Sequence, residues 1–341
     1  MLESALIALV AGLILQPLGV HVLRARRILD VPNARSSHGT PTVRGGGVAV
    51  VAALVLGALL AGAADSRDGQ VVLVALVLCA AVGAAEDLHG VPVLRGLALL
   101  LLATAPLAAL VPGPAAERIV AGGFAVLFGL AVVNATNFMD GINGISAAEG
   151  VVGGVTYAVL GHMAGLGAVA VVGAATASAF LSFAPDNVPL ARAFLGDSGS
   201  YGLGAVLAGL AMVLVVHGVP PEAVLAPIAI YVADTGTTLL RRWRSGQPWH
   251  RPHRTHVYQR LTDLGLSYSA VSGLVLVFGT LSAVLGAASF NGAALRVPAD
   301  LALAALVAGY LALPHLLATR ADAVSDQHRS HGAIARVRWG R

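Results

Sequence analysis

The sequence predicts an all-α, polytopic integral membrane protein, and three observations lead there. Of 341 residues 57% are hydrophobic and 11% charged, with a mean hydropathy of +0.81; globular chains carry about 25% charged residues. The charges cluster in short stretches between long apolar runs. Each run approaches the roughly 20 residues a helix needs to cross a bilayer.

The runs fall near 4–23, 46–63, 70–85, 96–112, 119–135, 150–164, 166–184, 201–217, 222–240, 268–290 and 299–318. They predict about eleven transmembrane helices, some of them short. The first run is not expected to be a cleaved signal. It opens Met1-Leu2-Glu3-Ser4 without a positive segment, and the cluster Arg24, Arg26, Arg27 follows it. That order places the N-terminus outside.

Arginine supplies every basic charge of this kind, because the chain contains no lysine. With the N-terminus outside, 18 of the 21 arginines fall on inner segments or the tail, and only Arg67, Arg118 and Arg296 fall outside. The positive-inside rule therefore predicts an outer N-terminus and a cytoplasmic C-terminus. The net charge of +4 reads as topology. No nucleic-acid partner is expected, since no basic face with interleaved aromatics exists. A single cysteine, Cys79, lies in an apolar run and forms no intramolecular disulfide.

The outer loops are short and plain, and the inner ones hold the unusual residues. The first inner segment runs from Leu29 to Gly47 and ends Arg44-Gly45-Gly46-Gly47. Glycines opening a helix beside an arginine can present backbone N–H groups to a phosphate, or simply form a hairpin turn. The second carries Glu86-Asp87-Leu88-His89 at the inner end of the third span. Adjacent carboxylates repel and resist burial unless a metal, an arginine or a cationic ligand offsets them; a solvated interfacial pair is the plainer reading.

The third is Asn134-Ala135-Thr136-Asn137-Phe138-Met139-Asp140-Gly141-Ile142-Asn143-Gly144. The spacing puts Asn134, Asn137 and Asp140 on one helical face, as the floor of a polar pocket. In the fourth, Phe194-Leu195-Gly196-Asp197-Ser198-Gly199-Ser200, Asp197 suits either a helix N-cap or an Mg²⁺ ligand, since that ion takes few protein carboxylates. The fifth, Pro248 to Arg260, holds His250, His253 and His256 three apart, with Arg251, Arg254 and Arg260 among them. Zinc fits the spacing, but the arginines favour an anionic diphosphate. Asp234 sits deeper, within the ninth run, one or two turns before Arg241; it is expected either to pair with an arginine or to face the site, an intramembrane acid being a functional hypothesis by default.

In this order, over about residues 20–265, the five segments resemble the polyprenyl-phosphate N-acetylhexosamine-1-phosphate transferase superfamily. The stretches 134–144 and 194–200 carry most of the resemblance. It implies a ten- or eleven-helix transferase domain over 1–319, followed by a basic cytoplasmic tail over 320–341. It also implies an Mg²⁺-dependent phosphotransferase in the inner membrane with a cytoplasmic active site, Mn²⁺ being an alternative metal. A UDP-N-acetylhexosamine would donate sugar 1-phosphate to undecaprenyl or decaprenyl phosphate, and UMP would leave. A homodimer is compatible with it.

The resemblance makes Asp197 the metal ligand and places Glu86 and Asp87 at the acceptor phosphate, with Asp87 the safer catalytic residue, expected to take or displace a proton. Asn137, Asp140 and Asn143 would line the nucleotide site, His253, Arg254 and His256 would hold the diphosphate, and Asn134 and Arg44 join them as substrate-binding residues. Three departures stand out: Glu86 where the family has a first aspartate, Asn143 where many members have aspartate, and Val257-Tyr258-Gln259 where further histidines are usual. These features look like the O-antigen and exopolysaccharide-initiating branch rather than the peptidoglycan-precursor branch. Two other classes stay open on the residues alone. A transporter should set its polar groups at the bilayer midplane within repeats, and a zinc hydrolase would use the histidines.

Overall fold

The structure, a computed structural model, is described for residues 1–30, 41–248, 253–290 and 293–338; for 293 and 320–338 only the backbone is. Arg35, His250, Arg251 and the side chains of the basic tail lie outside the described residues.

Every apolar run is helical. In chain order the helices are α1 (Leu2–Ala25), α2 (Gly47–Leu60), α3 (Arg67–His89), α4 (Val93–Thr104), α5 (Ala115–Met139), α6 (Ile145–Met163) and α7 (Gly167–Asn187). After them come α8 (Gly196–Val216), α9 (Pro221–Leu225), α10 (Ala229–Arg244), α11 (Val257–Asp263), α12 (Tyr268–Phe290) and α13 (Ala293–Arg338). Short 3₁₀ turns extend α4 through Ala105–Leu110 and join α9 to α10 through Ala226–Ile228. Among the described residues, nine helical stretches are long and apolar enough to cross a membrane. The two remaining runs are α2, only 14 residues long, and α6, which carries the buried acid Glu149.

Helices are the expected solution here, because a lipid-embedded backbone must satisfy its own N–H and C=O groups. Leu2, Leu102, Ile119, Val120 and Leu301 are more than half exposed on α1, α4, α5 and α13. Water would penalise such a surface, whereas lipid does not. The only strands among the described residues are two-residue pieces, β1 (Leu29–Asp30) and β2 (Thr42–Val43), paired antiparallel.

Helix α8 is the axis of the bundle, with 89% of its apolar stretch buried inside the protein. Small residues let its neighbours approach closely. A Cβ on Gly204 would stand 2.5 Å from the Val133 Cα on α5, and one on Gly47 would stand 2.3 Å from the Gly199 backbone. On α3, a Cβ on Gly83 would meet the Asp197 carbonyl oxygen at 2.2 Å. Gly83 therefore sets how near α3 comes to the start of α8, and Asp87 follows one turn later.

Gly83→Ala is expected to force α3 away from α8. Overpacking of this kind costs about 1–3 kcal/mol. The unfolding midpoint in detergent should fall, and a midpoint equal to that of the unaltered protein would contradict this account of the packing.

Candidate active site

Four helix ends meet at one face: the starts of α2 and α8 and the ends of α3 and α5. The chain segments that lead into α2 and α8 run side by side. The Phe194 N–H donates to the Val43 carbonyl at 2.8 Å, and the Gly46 and Gly47 N–H groups donate to the Phe194 and Leu195 carbonyls at 3.0 and 2.8 Å. This corrects one expectation from the sequence. The Gly46 and Gly47 amides are committed to the neighbouring chain and do not form an anion-binding helix start.

Asp87 holds the start of α8. Its Oδ1 accepts from the Asp197 N–H at 2.9 Å, and its Oδ2 accepts from the Ser198 N–H at 3.0 Å. Those are two of the N–H groups that every helix start leaves without an intrahelical partner. Gly196 is required here twice over. Its φ is +74°, and a Cβ would lie 2.7 Å from Asp87 Oδ2. Because Asp87 does the capping, Asp197 does not cap its own helix and its side chain faces the site.

Arg44 ties the two carboxylates together. Its Nε donates to Asp87 Oδ1 at 2.8 Å and its Nη2 to Asp197 Oδ2 at 2.7 Å. Burial works against the Arg44 charge, but Asp197 and Asp87 outweigh it and hold the guanidinium pKa above its ordinary value. From α5, Asn137 Nδ2 donates to Asp197 Oδ1 at 2.7 Å and to Ser200 Oγ at 3.1 Å. Glu86 points elsewhere, its Oε2 accepting from the Tyr201 hydroxyl at 2.9 Å.

The expected stripe of three polar residues is only partly realised. Asn134 turns its amide back to the Leu130 carbonyl at 2.8 Å, and α5 ends at Met139, so Asp140 stands beyond the helix. Asn143 donates to the Pro189 carbonyl at 3.3 Å. Asn137 alone of the three asparagines reaches Asp197.

The histidine-rich segment docks on the same end of α5. The rings of His253 and His256 lie 6.4 and 6.0 Å from Phe138, and 5.0 Å from each other. The Tyr258 hydroxyl donates to the Phe138 carbonyl at 3.0 Å, packing where a Cβ on Gly141 would stand. His253 lies toward the outside, and burial, then His256 and Arg242, lower its pKa to about 4. It is therefore neutral at pH 7. Arg254 reaches Asp263 at 3.5 Å. His256 is 2% exposed and pairs with the fully buried Asp234 at 3.1 Å.

Residues 70–215 match the model of glycosyl transferase family 4. A decaprenyl-phosphate N-acetylglucosaminephosphotransferase of Mycobacterium tuberculosis is 30% identical, covering 84% of this chain and 82% of its own length. The chain belongs to glycosyl transferase family 4. A probable undecaprenyl-phosphate N-acetylglucosaminyl 1-phosphate transferase of Bacillus subtilis is 25% identical over 82% of both chains. A phospho-N-acetylmuramoyl-pentapeptide-transferase of Clostridium botulinum is 28% identical over 60% of this chain and 67% of its own.

The family-matched stretch contains Glu86, Asp87, Asn137, Asp140 and Asp197 but neither Arg44 nor the histidine-rich segment. Tyr201, which binds Glu86, was not singled out in the sequence, and Tyr258, which docks the loop, stood out there only as a departure from the family's histidines. Tyr201 opens an apolar span, where a tyrosine gives no signal beyond its hydroxyl, which seeks a partner when buried.

For this family 4 chain, Asp140 carries a testable pH dependence. Removal from water, with Asp197 and Asp87 nearby, pushes its pKa up to about 7 against the opposing Ser146 and Arg44. A carboxyl raised in the folded state binds more protons folded than unfolded between its ordinary range and 7. Stability should therefore fall as pH rises through that window and level off above it. Asp140→Asn should flatten this fall, read as the unfolding midpoint between pH 5 and 8. A slope identical to the unaltered protein's would refute it.

Proposed function

We propose that the chain transfers an N-acetylhexosamine 1-phosphate from a UDP-sugar to a polyprenyl phosphate at the cytoplasmic face of the inner membrane. An acceptor phosphate oxygen attacks the sugar-linked phosphorus; that P–O bond forms, the bond to the bridging oxygen breaks, and UMP leaves with the electron pair. The lipid-linked product initiates a cell-envelope polysaccharide. The observation that carries this reading is the Arg44-linked pair of Asp87 and Asp197 at a membrane face. The polyprenyl-phosphate transferase names of the relatives and the arginine distribution support it.

The physical difficulty is bringing two anions together. A phosphate monoester has a second pKa of about 6, so little proton removal is needed at neutral pH. Charge neutralisation and alignment carry the burden instead. Asp87, with both oxygens bonded, fits the placing of α8 and Arg44 better than a free general base. Arg44, 38% exposed along its side chain, is placed to turn one donor toward a phosphate. Asn137 fixes the orientation of the Asp197 carboxylate. Arg254, beside a neutral His253, supplies charge toward the diphosphate. Asp140 and Asn143 border the nucleotide.

The donor set also fits a divalent cation. Asp197 and Asp87 bring two hard carboxylates to a point where the protein itself has placed a positive charge, and Mg²⁺ takes few protein carboxylates. Mg²⁺ (or Mn²⁺ in its place) held by Asp197 would supply neutralisation of the diphosphate and of the leaving UMP.

Membranes containing the enzyme, given polyprenyl phosphate, Mg²⁺ and a panel of UDP-sugars, should release UMP and yield a lipid-linked sugar with at least one N-acetylhexosamine donor. Asp197→Ala should lower turnover roughly a hundredfold or more, the size expected when several kcal/mol of charge stabilisation are lost. No turnover with any donor, or undiminished turnover in Asp197→Ala, would sink the assignment.

A further inference from the structure

Asp234 is an intramembrane acid with no exposure, and no part of the transfer just described uses it. Its environment is unusually complete. Oδ1 accepts from His256 Nδ1 at 3.1 Å, from the Val257 N–H at 3.0 Å and from Thr238 Oγ1 at 3.3 Å. Oδ2 accepts from the Tyr258 N–H at 3.4 Å and from the Tyr310 hydroxyl at 2.9 Å. One carboxylate thus joins α10, the start of α11 and α13.

The consequence for His256 follows from ring chemistry. A carboxylate that accepts at Nδ1 fixes a proton there. The same carboxylate holds the two amides that follow His256 in the chain, so ring and backbone are fixed together. His256 is 2% exposed, and the half-buried His253 lies against it at 5.0 Å. The buried ring is a platform, and the ring and guanidinium of His253 and Arg254 are what the segment offers outward.

We propose that Asp234 and His256 are positioning residues for the donor's diphosphate. Asp234 holds His256 through Nδ1, and the pair sets His253 and Arg254 beside the end of α5. His256 does not itself grip the substrate through Nε2. This rests on the transferase reading, which names the diphosphate, but the clamp can be tested without it.

Two substitutions of His256 separate the roles. Asparagine puts an amide nitrogen near the place of Nδ1, and glutamine puts one near the place of Nε2. His256→Asn should keep the KM for the UDP-sugar within about threefold. His256→Gln should raise it about tenfold or more, the cost of leaving a buried partner unsatisfied. Asp234→Asn, whose amide faces donors where the carboxylate accepted, should also raise KM more than it lowers kcat. Tyr310→Phe removes one donor of five and should lose less.

A readout free of substrate accompanies the kinetics. Hydrogen exchange at the Val257 and Tyr258 amides should accelerate in Asp234→Asn and His256→Gln and stay slow in His256→Asn. The reverse ranking, with His256→Gln close to the unaltered enzyme and His256→Asn impaired, would assign substrate contact to Nε2 and overturn the proposal. So would a lowered unfolding midpoint in Asp234→Asn with unchanged KM and unchanged exchange. Turnover of the unaltered enzyme in the same preparation tests the transferase reading by itself. If that turnover is absent, the exchange ranking still decides whether the clamp exists.

Discussion

Bringing Asp87 and Asp197 to one point requires an offset to their repulsion, and the protein supplies two. The start of α8 directs N–H groups and the positive end of its dipole at Asp87, while Arg44 spans both acids. Removing either would leave a nearly buried charge without its partner, a loss of several kcal/mol where water is scarce. The same contacts fix geometry. Asp87 positions α8, α8 positions Asp197, and Arg44 brings the segment before α2 to both. The site is therefore assembled by its own charges, on glycine contacts at 47, 83 and 196 that let backbones come close enough.

The second half of the site depends on the end of α5. Asn137 reaches Asp197 from this end, and one residue later Phe138 receives both the Tyr258 hydroxyl and the histidine rings. Had α5 continued past Met139, Asp140 would have stayed on its helical face and the Tyr258 contact at Gly141 would have been lost. The early end of α5 connects the acidic centre to the histidine-rich segment. It also turns Asp140 into a carboxyl withdrawn from water and facing like charges, rather than a member of a polar stripe.

The sequence made the membrane class, the helical runs and the polar ends readable, because hydropathy and arginine placement are local properties. It also pointed to Arg44, Asp87, Asn137 and Asp197. It did not reveal which acid would cap and which would face the site. Asp197 stands in the N-terminal turn of α8 and reads as a cap in one dimension, yet the cap comes from Asp87, 110 residues earlier. The glycines before α2 likewise read as a phosphate cradle, and only the parallel run against 193–195 shows their amides to be taken. Choices of this kind depend on which helix ends become neighbours. The tertiary fold decides that, and local spacing carries no record of it.

Asp87 and Asp234 solve one problem twice. A helix that starts at a membrane face exposes N–H groups where bulk water is scarce, and leaving them unbonded is costly. Serine or asparagine caps from the chain itself would satisfy them, but such caps tie the helix only to its own preceding turn. A carboxylate from a different helix satisfies the same groups and also fixes the distance between two elements. It leaves its remaining lone pairs to orient further side chains, among them Arg44 at α8 and His256 at α11. Borrowed caps therefore convert a solvation requirement into placement of side chains, which is why a site built from helix ends can hold its groups in register.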